Sequence, residues 1–203
     1  AYRAAIQGWM ARRHGWEIAP EWILTTHGLV AAVGMAVQAF TEPGDGVVIM
    51  PPVYPPFAIC TAEAGCVTVP VPLRDTGSAW EMDLAGIEAA LEAGARAVLL
   101  CNPHNPTGTA HSADALAALA EIAERHGAVV ISDEIHAPLV AEGVNYAPFL
   151  TAGASAARVG FAVTSASKAF NLAGLKCALM VTADDATTSV VRGLNPEVEW
   201  RTG

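Results

Sequence analysis

The amino-acid sequence predicts a three-layer α/β/α protein built on a mostly parallel sheet with one antiparallel strand. Three observations carry that prediction. Short apolar runs at 47–50, 97–101, 128–132, 160–164 and 178–182 are rich in Val, Ile, Leu and Ala and show no polar alternation, the pattern of strands covered on both faces. Helical stretches separate most of these runs, and strands alternating with helices imply parallel pairing with helices on both sides of the sheet. The last two runs differ, because only residues 165–176 lie between them; a loop containing glycine uses much of that length, so the chain is expected to return antiparallel.

In chain order, Tyr2, Ile6, Trp9 and Met10 form the apolar stripe of a helix already under way at the first residues. A second helix is expected over 28–40, with Leu29, Val33, Val37 and Phe40 on one face and a stop at the turn Pro43-Gly44-Asp45-Gly46. Residues 57–64 and 84–91 read as two further helices. Ser112 is placed to cap a helix carrying Leu116, Leu119 and Ile122, which Gly127 would end. No repeat, linker or low-complexity segment divides the chain, so residues 1–203 read as one domain or most of one. Because it opens within a helical pattern on Ala1, it is expected to be a piece of a longer protein.

Of the 203 residues, 53% are hydrophobic and 15% charged, enough apolar surface to bury a core and to exclude a disordered chain. The formal charge is -9, from 20 acidic and 11 basic residues. Such a surface repels phosphate backbones and anionic lipid, leaving small molecules as the expected partners. The apolar stretch 28–40 is too short to span a bilayer. Cys60, Cys66, Cys101 and Cys177 form no C-x-x-C pair, so reduced thiols and a cytoplasmic location are expected. The six histidines show no metal-ligand spacing, and no metal is assigned.

In an open parallel sheet, ligands bind beyond the carboxyl ends of the strands, so the polar residues that follow each run are the candidates for chemistry. After 47–50 the chain places Tyr54 in a Pro-rich turn; after 97–101 it places Asn105; after 128–132 come Asp133 and His136; after 160–164 come Ser165, Ser167 and Lys168. Nine of the eleven basic residues are Arg, which leaves Lys168 and Lys176 as the two lysines, both in the segment 165–176. Lysine can act as an amine nucleophile, which an always-protonated guanidinium cannot.

Pyridoxal phosphate (PLP) needs this combination: an amine to condense with its aldehyde, a carboxylate to keep its pyridine nitrogen protonated, and donors for its phosphate. Lys168 supplies the amine and Asp133 the carboxylate, while Asn105 can bond the ring oxygen and Tyr54 can stack on the ring. The turn at Gly28, Leu29 and Val30 opens a helix whose free N–H groups suit a phosphate, with Ser165, Ser167 and Lys176 adding hydroxyls and positive charge. Each residue alone also has a plain structural reading: Asp133 as a helix cap, Gly28 and Asn105 as turn formers, Tyr54 as packing, His136 as an ordinary histidine. Their joint occurrence at successive strand ends favours the cofactor.

The motifs Pro-Pro-Val-Tyr-Pro-Pro-Phe (51–57), Asn-Pro-His-Asn-Pro-Thr-Gly (102–108), Ser-Asp-Glu-Ile-His (132–136) and Ser-Ala-Ser-Lys-Ala-Phe-Asn-Leu-Ala-Gly-Leu-Lys (165–176) resemble the large domain of the fold type I PLP enzymes. This is the aspartate aminotransferase superfamily of class I and II aminotransferases, and the likeness is greatest to the MalY/PatB-type cystathionine β-lyases. The resemblance implies that Lys168 links the cofactor and moves the substrate's α-proton, that Asp133 pairs with the ring nitrogen, and that Asn105, Tyr54, His136, Gly28, Leu29, Val30, Ser165, Ser167 and Lys176 surround the cofactor. Many aminotransferases carry Tyr where this sequence has His136, and the difference favours the lyase branch. The implied reaction is β-elimination from an S-substituted cysteine to a thiol, pyruvate and ammonia. Transamination uses the same residues, and a non-catalytic effector-sensing domain is a third reading. The resemblance further implies a homodimer, and an N-terminal arm and C-terminal small domain outside this chain. The arginine that binds the substrate carboxylate belongs to that small domain and has no match among the nine here.

Overall fold

The computed structural model describes residues 2–194. Helix α1 (Tyr2–His14) leads through a 3-10 turn into strand β1 (Ile23–Thr26) and helix α2 (Leu29–Phe40). Strand β2 (Gly46–Ile49), helix α3 (Pro56–Glu63) and strand β3 (Val67–Pro70) follow, then a small hairpin of β4 (Arg74–Asp75) and β5 (Trp80–Glu81). Next come α4 (Leu84–Glu92), β6 (Ala95–Cys101), α5 (Ala113–Arg125), β7 (Val129–Asp133), α6 (Ala154–Val159), β8 (Gly160–Thr164), β9 (Ala178–Val181) and α7 (Asp185–Arg192).

Seven strands form the main sheet in the order β1-β9-β8-β7-β6-β2-β3. The pairs β3/β2, β2/β6, β6/β7 and β7/β8 are parallel, whereas β9 runs antiparallel to both β8 and β1. One strand in seven therefore opposes the rest, as the short 165–176 connection predicts. All five expected runs are strands, with ends moved by at most two residues. Strands β1 and β3 are additional. They occupy the two edges of the sheet, where one neighbour suffices and the apolar signal is weaker.

Alternation along each strand sends side chains to opposite faces. Val48, Met50, Val98, Leu100, Val130 and Ala162 join a core with Leu116, Leu119, Ile87 and Met10, which places α1, α4 and α5 on one side. Val47, Ile49, Leu99, Ile131, Phe161 and Val163 join Val33, Val37, Phe57 and Val191, placing α2, α3 and α7 on the other. Ser112 caps α5 as expected, its hydroxyl accepting from Ala115 N at 3.2 Å. Asp184 caps α7 in the same way, accepting from Thr187 N at 2.8 Å. No helix among the described residues is long and apolar enough to cross a membrane.

Candidate active site

The carboxyl ends of β2, β6, β7 and β8 lie side by side, so the loops leaving them converge. Between these loops and the start of α2 lies a cavity of about 220 Å³ lined by Gly28, Leu29, Val30, Tyr54, Cys101, Asn105, Asp133, Ile135, His136, Ser167, Lys168, Ala173 and Lys176. Ten of the eleven residues singled out from sequence line this one space. Both lysines of a chain with net charge -9 are among them.

One end of the cavity is set by Gly28, whose φ of 86° and ψ of 146° suit glycine and few other residues. No atom lies within 4 Å of where a Cβ would stand, so the turn leaves an open cradle above the first N–H groups of α2. Across from it, Ser167 presents its hydroxyl, and Lys176 takes a left-handed conformation (φ 50°) at the end of a 3-10 turn. Ser165 is the eleventh residue and stands one step back. Its hydroxyl donates to Cys177 O at 2.7 Å, accepts from Ser167 N at 3.1 Å and lies 2.7 Å from Ser167 Oγ. It holds Ser167 rather than lining the cavity.

At the other end, Asp133 closes β7 and is 3% exposed. One carboxylate oxygen, Oδ1, accepts from Ile135 N at 3.1 Å, and Oδ2 has no hydrogen-bond partner among the described residues. Burial pushes its pKa up to about 7, opposed by the Ile135 N–H and reinforced by the neighbouring Glu134. A cation in the cavity is what would keep this carboxyl ionised at neutral pH. The side-chain amide of Asn105 also has no partner among the described residues; its backbone N–H donates to Cys101 Sγ at 3.3 Å. His136 is half-buried, and its pKa is lowered by burial and then by the charge of Lys168. Tyr54 is held edge-to-face against Phe57, with ring centres 6.3 Å apart.

Sequence reasoning missed three lining residues. Cys101 is buried and its thiol is pushed up to about 12 by burial and then by Asp133; it was legible only as the last residue of an apolar run. Ile135 and Ala173 are apolar wall, carrying no chemical signal of their own. The unsatisfied carboxylate, the free amide, the amine and the glycine cradle fit PLP in kind: a cationic ring nitrogen, a ring oxygen, an aldehyde and a phosphate.

An open α/β sheet with this constellation at its strand ends defines the class of protein. Residues 1–198 match the family model of aminotransferase class I and II, and the chain belongs to that family. It is 40% identical over 181 residues to the cystathionine beta-lyase PatB of Bacillus subtilis, covering 89% of this chain and 47% of that protein. It is 37% identical over 193 residues to the cystathionine beta-lyase of Corynebacterium glutamicum, covering 94% and 50%. Among solved structures, cystalysin from Treponema denticola, which contains a PLP cofactor, superposes with a TM-score of 0.89 at 31% identity over 94% of this chain and 48% of that one. The chain thus spans about half the length of the relatives it matches.

Proposed function

We propose that this chain forms the cofactor-binding half of a PLP-dependent carbon-sulfur β-lyase that cleaves an S-substituted cysteine to a thiol, pyruvate and ammonia. The observation that carries the reading is that both lysines, the buried Asp133 and the free amide of Asn105 border one cavity at the strand ends. The similarity to cystathionine beta-lyases supports the choice of reaction. When bound, PLP holds an amino acid through its amine and accepts electrons from the α-carbon into its ring.

The chain's residues have separable tasks. Lys168 would hold the cofactor covalently through Nζ and, when that amine is free, would take the substrate's α-proton there. Asp133 accepts a hydrogen bond from the ring N–H and balances its charge. Asn105 would donate to the ring oxygen, and Tyr54 and Ile135 would enclose the ring. Gly28, Leu29 and Val30 offer backbone N–H groups to the phosphate, with Ser167 and Lys176 completing its charge and hydrogen bonds and Ser165 fixing Ser167. The chemistry that PLP would supply here is loss of a thiolate from Cβ, after which water would convert the remaining three-carbon fragment to pyruvate and ammonia. Phe170, Leu172 and Leu175, on the loop that carries Lys168, are 52%, 42% and 64% exposed; that apolar rim supports a homodimer for the whole protein. We assign the protein to the cytoplasm.

The test is release of pyruvate and thiol from L-cystathionine by the full-length, PLP-loaded protein with no oxo acid added. Catalytic release of both products is expected. Conversion of the cofactor to its amine form, with turnover only after an oxo acid is supplied, would make the protein an aminotransferase and refute the lyase reading.

A further inference from the structure

Next to Asp133, on the side of β7 away from the cavity, lies a second buried carboxylate with no place in the reaction described above. Glu134 is 3% exposed. Its Oε1 accepts from Ser132 Oγ at 2.9 Å and from Phe149 N at 2.8 Å, and its Oε2 accepts from Tyr146 OH at 2.6 Å. All three donors are neutral, and no cation forms an ion pair with Glu134 among the described residues. Its backbone is equally fixed: Glu134 N donates to Val163 O at 2.8 Å, and Thr164 Oγ1 donates to Glu134 O at 3.3 Å. One residue therefore ties the end of β7 to the end of β8, just before Ser165, and to the segment 146–149.

Hydrogen bonding alone does not account for an acid here. A neutral amide could accept from Ser132 and Phe149, and a buried carboxylate without a cationic partner is costly. What a carboxylate adds is a negative charge beside Asp133, in surroundings that screen it little. Burial pushes both carboxyls up to about 7, and the charge of Glu134 raises Asp133 further, while the donors Tyr146, Phe149 and Ser132 favour the charged form of Glu134. A cation against Asp133 favours its charged form. The cations nearest these groups are Arg13, which borders the pocket of His14 and Tyr146, and Lys168 in the cavity, and neither forms an ion pair with Glu134 among the described residues. Tyr146 is held neutral, its pKa raised by burial and by Glu134. His14 of α1, whose ring centre is 5.1 Å from that of Tyr146, has its pKa lowered by burial and then by the charge of Arg13. On the cavity side lie Lys168 and His136.

We propose that Glu134 is a positioning residue for the cofactor, a second negative charge that, through Asp133, holds the proton on the ring nitrogen. The inference rests on the cofactor part of the proposed function and not on the choice between lyase and aminotransferase.

The experiment compares full-length wild type with Glu134→Gln, both loaded with PLP labelled with 15N in the ring, and reads the ring-nitrogen chemical shift as a function of pH. Gln matches Glu in shape and keeps an acceptor for Ser132 and Phe149. If the role is electrostatic, the ring nitrogen of the variant gives up its proton about one pH unit lower, roughly a tenfold change in acidity, and α-proton exchange slows about as much. If Glu134 is merely a tether, the folded Gln variant keeps the wild-type titration, and that result overturns the proposal. Tyr146→Phe provides a second reading should the Gln variant not fold: loss of the 2.6 Å donor disfavours the charge on Glu134, so the ring titration moves the same way by a smaller amount, and an unmoved titration overturns the proposal. A wild-type protein that takes up no PLP refutes the cofactor reading itself, before any variant is compared.

Discussion

Replacing Asp133 by Asn is expected to stabilise the cofactor-free protein at neutral pH while crippling its chemistry. The folded chain raises the Asp133 carboxyl from 3.8 to about 7, about three units, and each unit corresponds to roughly 1.4 kcal/mol. The sign follows from proton counting. Between pH 3.8 and about 7 the folded state keeps a proton that the unfolded state has released, so the stability linked to this group is full at acid pH and is lost as pH rises through that window. The loss amounts to about 4 kcal/mol by pH 8, and a neutral amide at this position would carry none of it. His111, lowered to about 4 by burial, acts in the opposite sense as pH falls, but it is common to both proteins and cancels in the difference. The assay is urea unfolding of cofactor-free full-length wild type and Asp133→Asn, at one protein concentration and from pH 4 to 8, followed by tryptophan fluorescence. The two midpoints should diverge with pH in favour of the variant by roughly 1 to 2 M. Loading with PLP should flatten the wild-type profile, because a cation at Asp133 restores the charge. Parallel profiles for the two cofactor-free proteins would show that Asp133 does not carry the burial penalty argued here.

Lys168→Ala should abolish the borohydride-reducible link between protein and cofactor and lower turnover roughly a thousandfold, the scale of a lost general base; turnover near the wild-type rate would remove Lys168 from the mechanism. Gly28→Ala meets no steric contact, so its effect comes from a backbone conformation that costs an L-residue about 1–3 kcal/mol. It should weaken PLP binding by about tenfold, measured by equilibrium dialysis. Ser112→Ala removes the cap at the start of α5, far in sequence from any cavity residue but Asn105. It should cost about 1 kcal/mol of stability in thermal unfolding and leave the absorbance of the bound cofactor unchanged.

The central strands were legible because burial on both faces removes polar residues from them, and a run such as Val47 to Met50 has no other reading. The edges were not. In β3, Val67 and Pro70 are exposed, and in β1 the threonines dilute the apolar run although its only strand partner is β9. Helix α6 is six residues of mostly small side chains after Gly153, too short to display a period. Its position is set by packing, since a Cβ on Gly160 would collide with the backbone oxygen of Ala156 in α6 and with Leu150.

The site divides along the same line. Residues that act on a ligand were legible because they stand in fixed order after strands, where topology alone brings them together. Residues that act on those residues were not. Ser165 reads as one more hydroxyl for a phosphate, and only the bond to Cys177 O, twelve residues on, reveals it as the support of Ser167. Glu134 stands in the motif Ser-Asp-Glu-Ile-His without a role that the sequence assigns, and its surroundings depend on Tyr146 and Phe149, twelve and fifteen residues away across an irregular loop. Strand alternation even argues against it, sending Glu134 to the side opposite Asp133. That opposition is why it matters: a carboxylate facing away from the cavity can add its charge to the ring nitrogen's surroundings without competing for the contact that Asp133 makes. The order of motifs along the sequence brings the candidate cofactor residues to one cavity, and the fold adds the buried carboxylate of Glu134 beside Asp133.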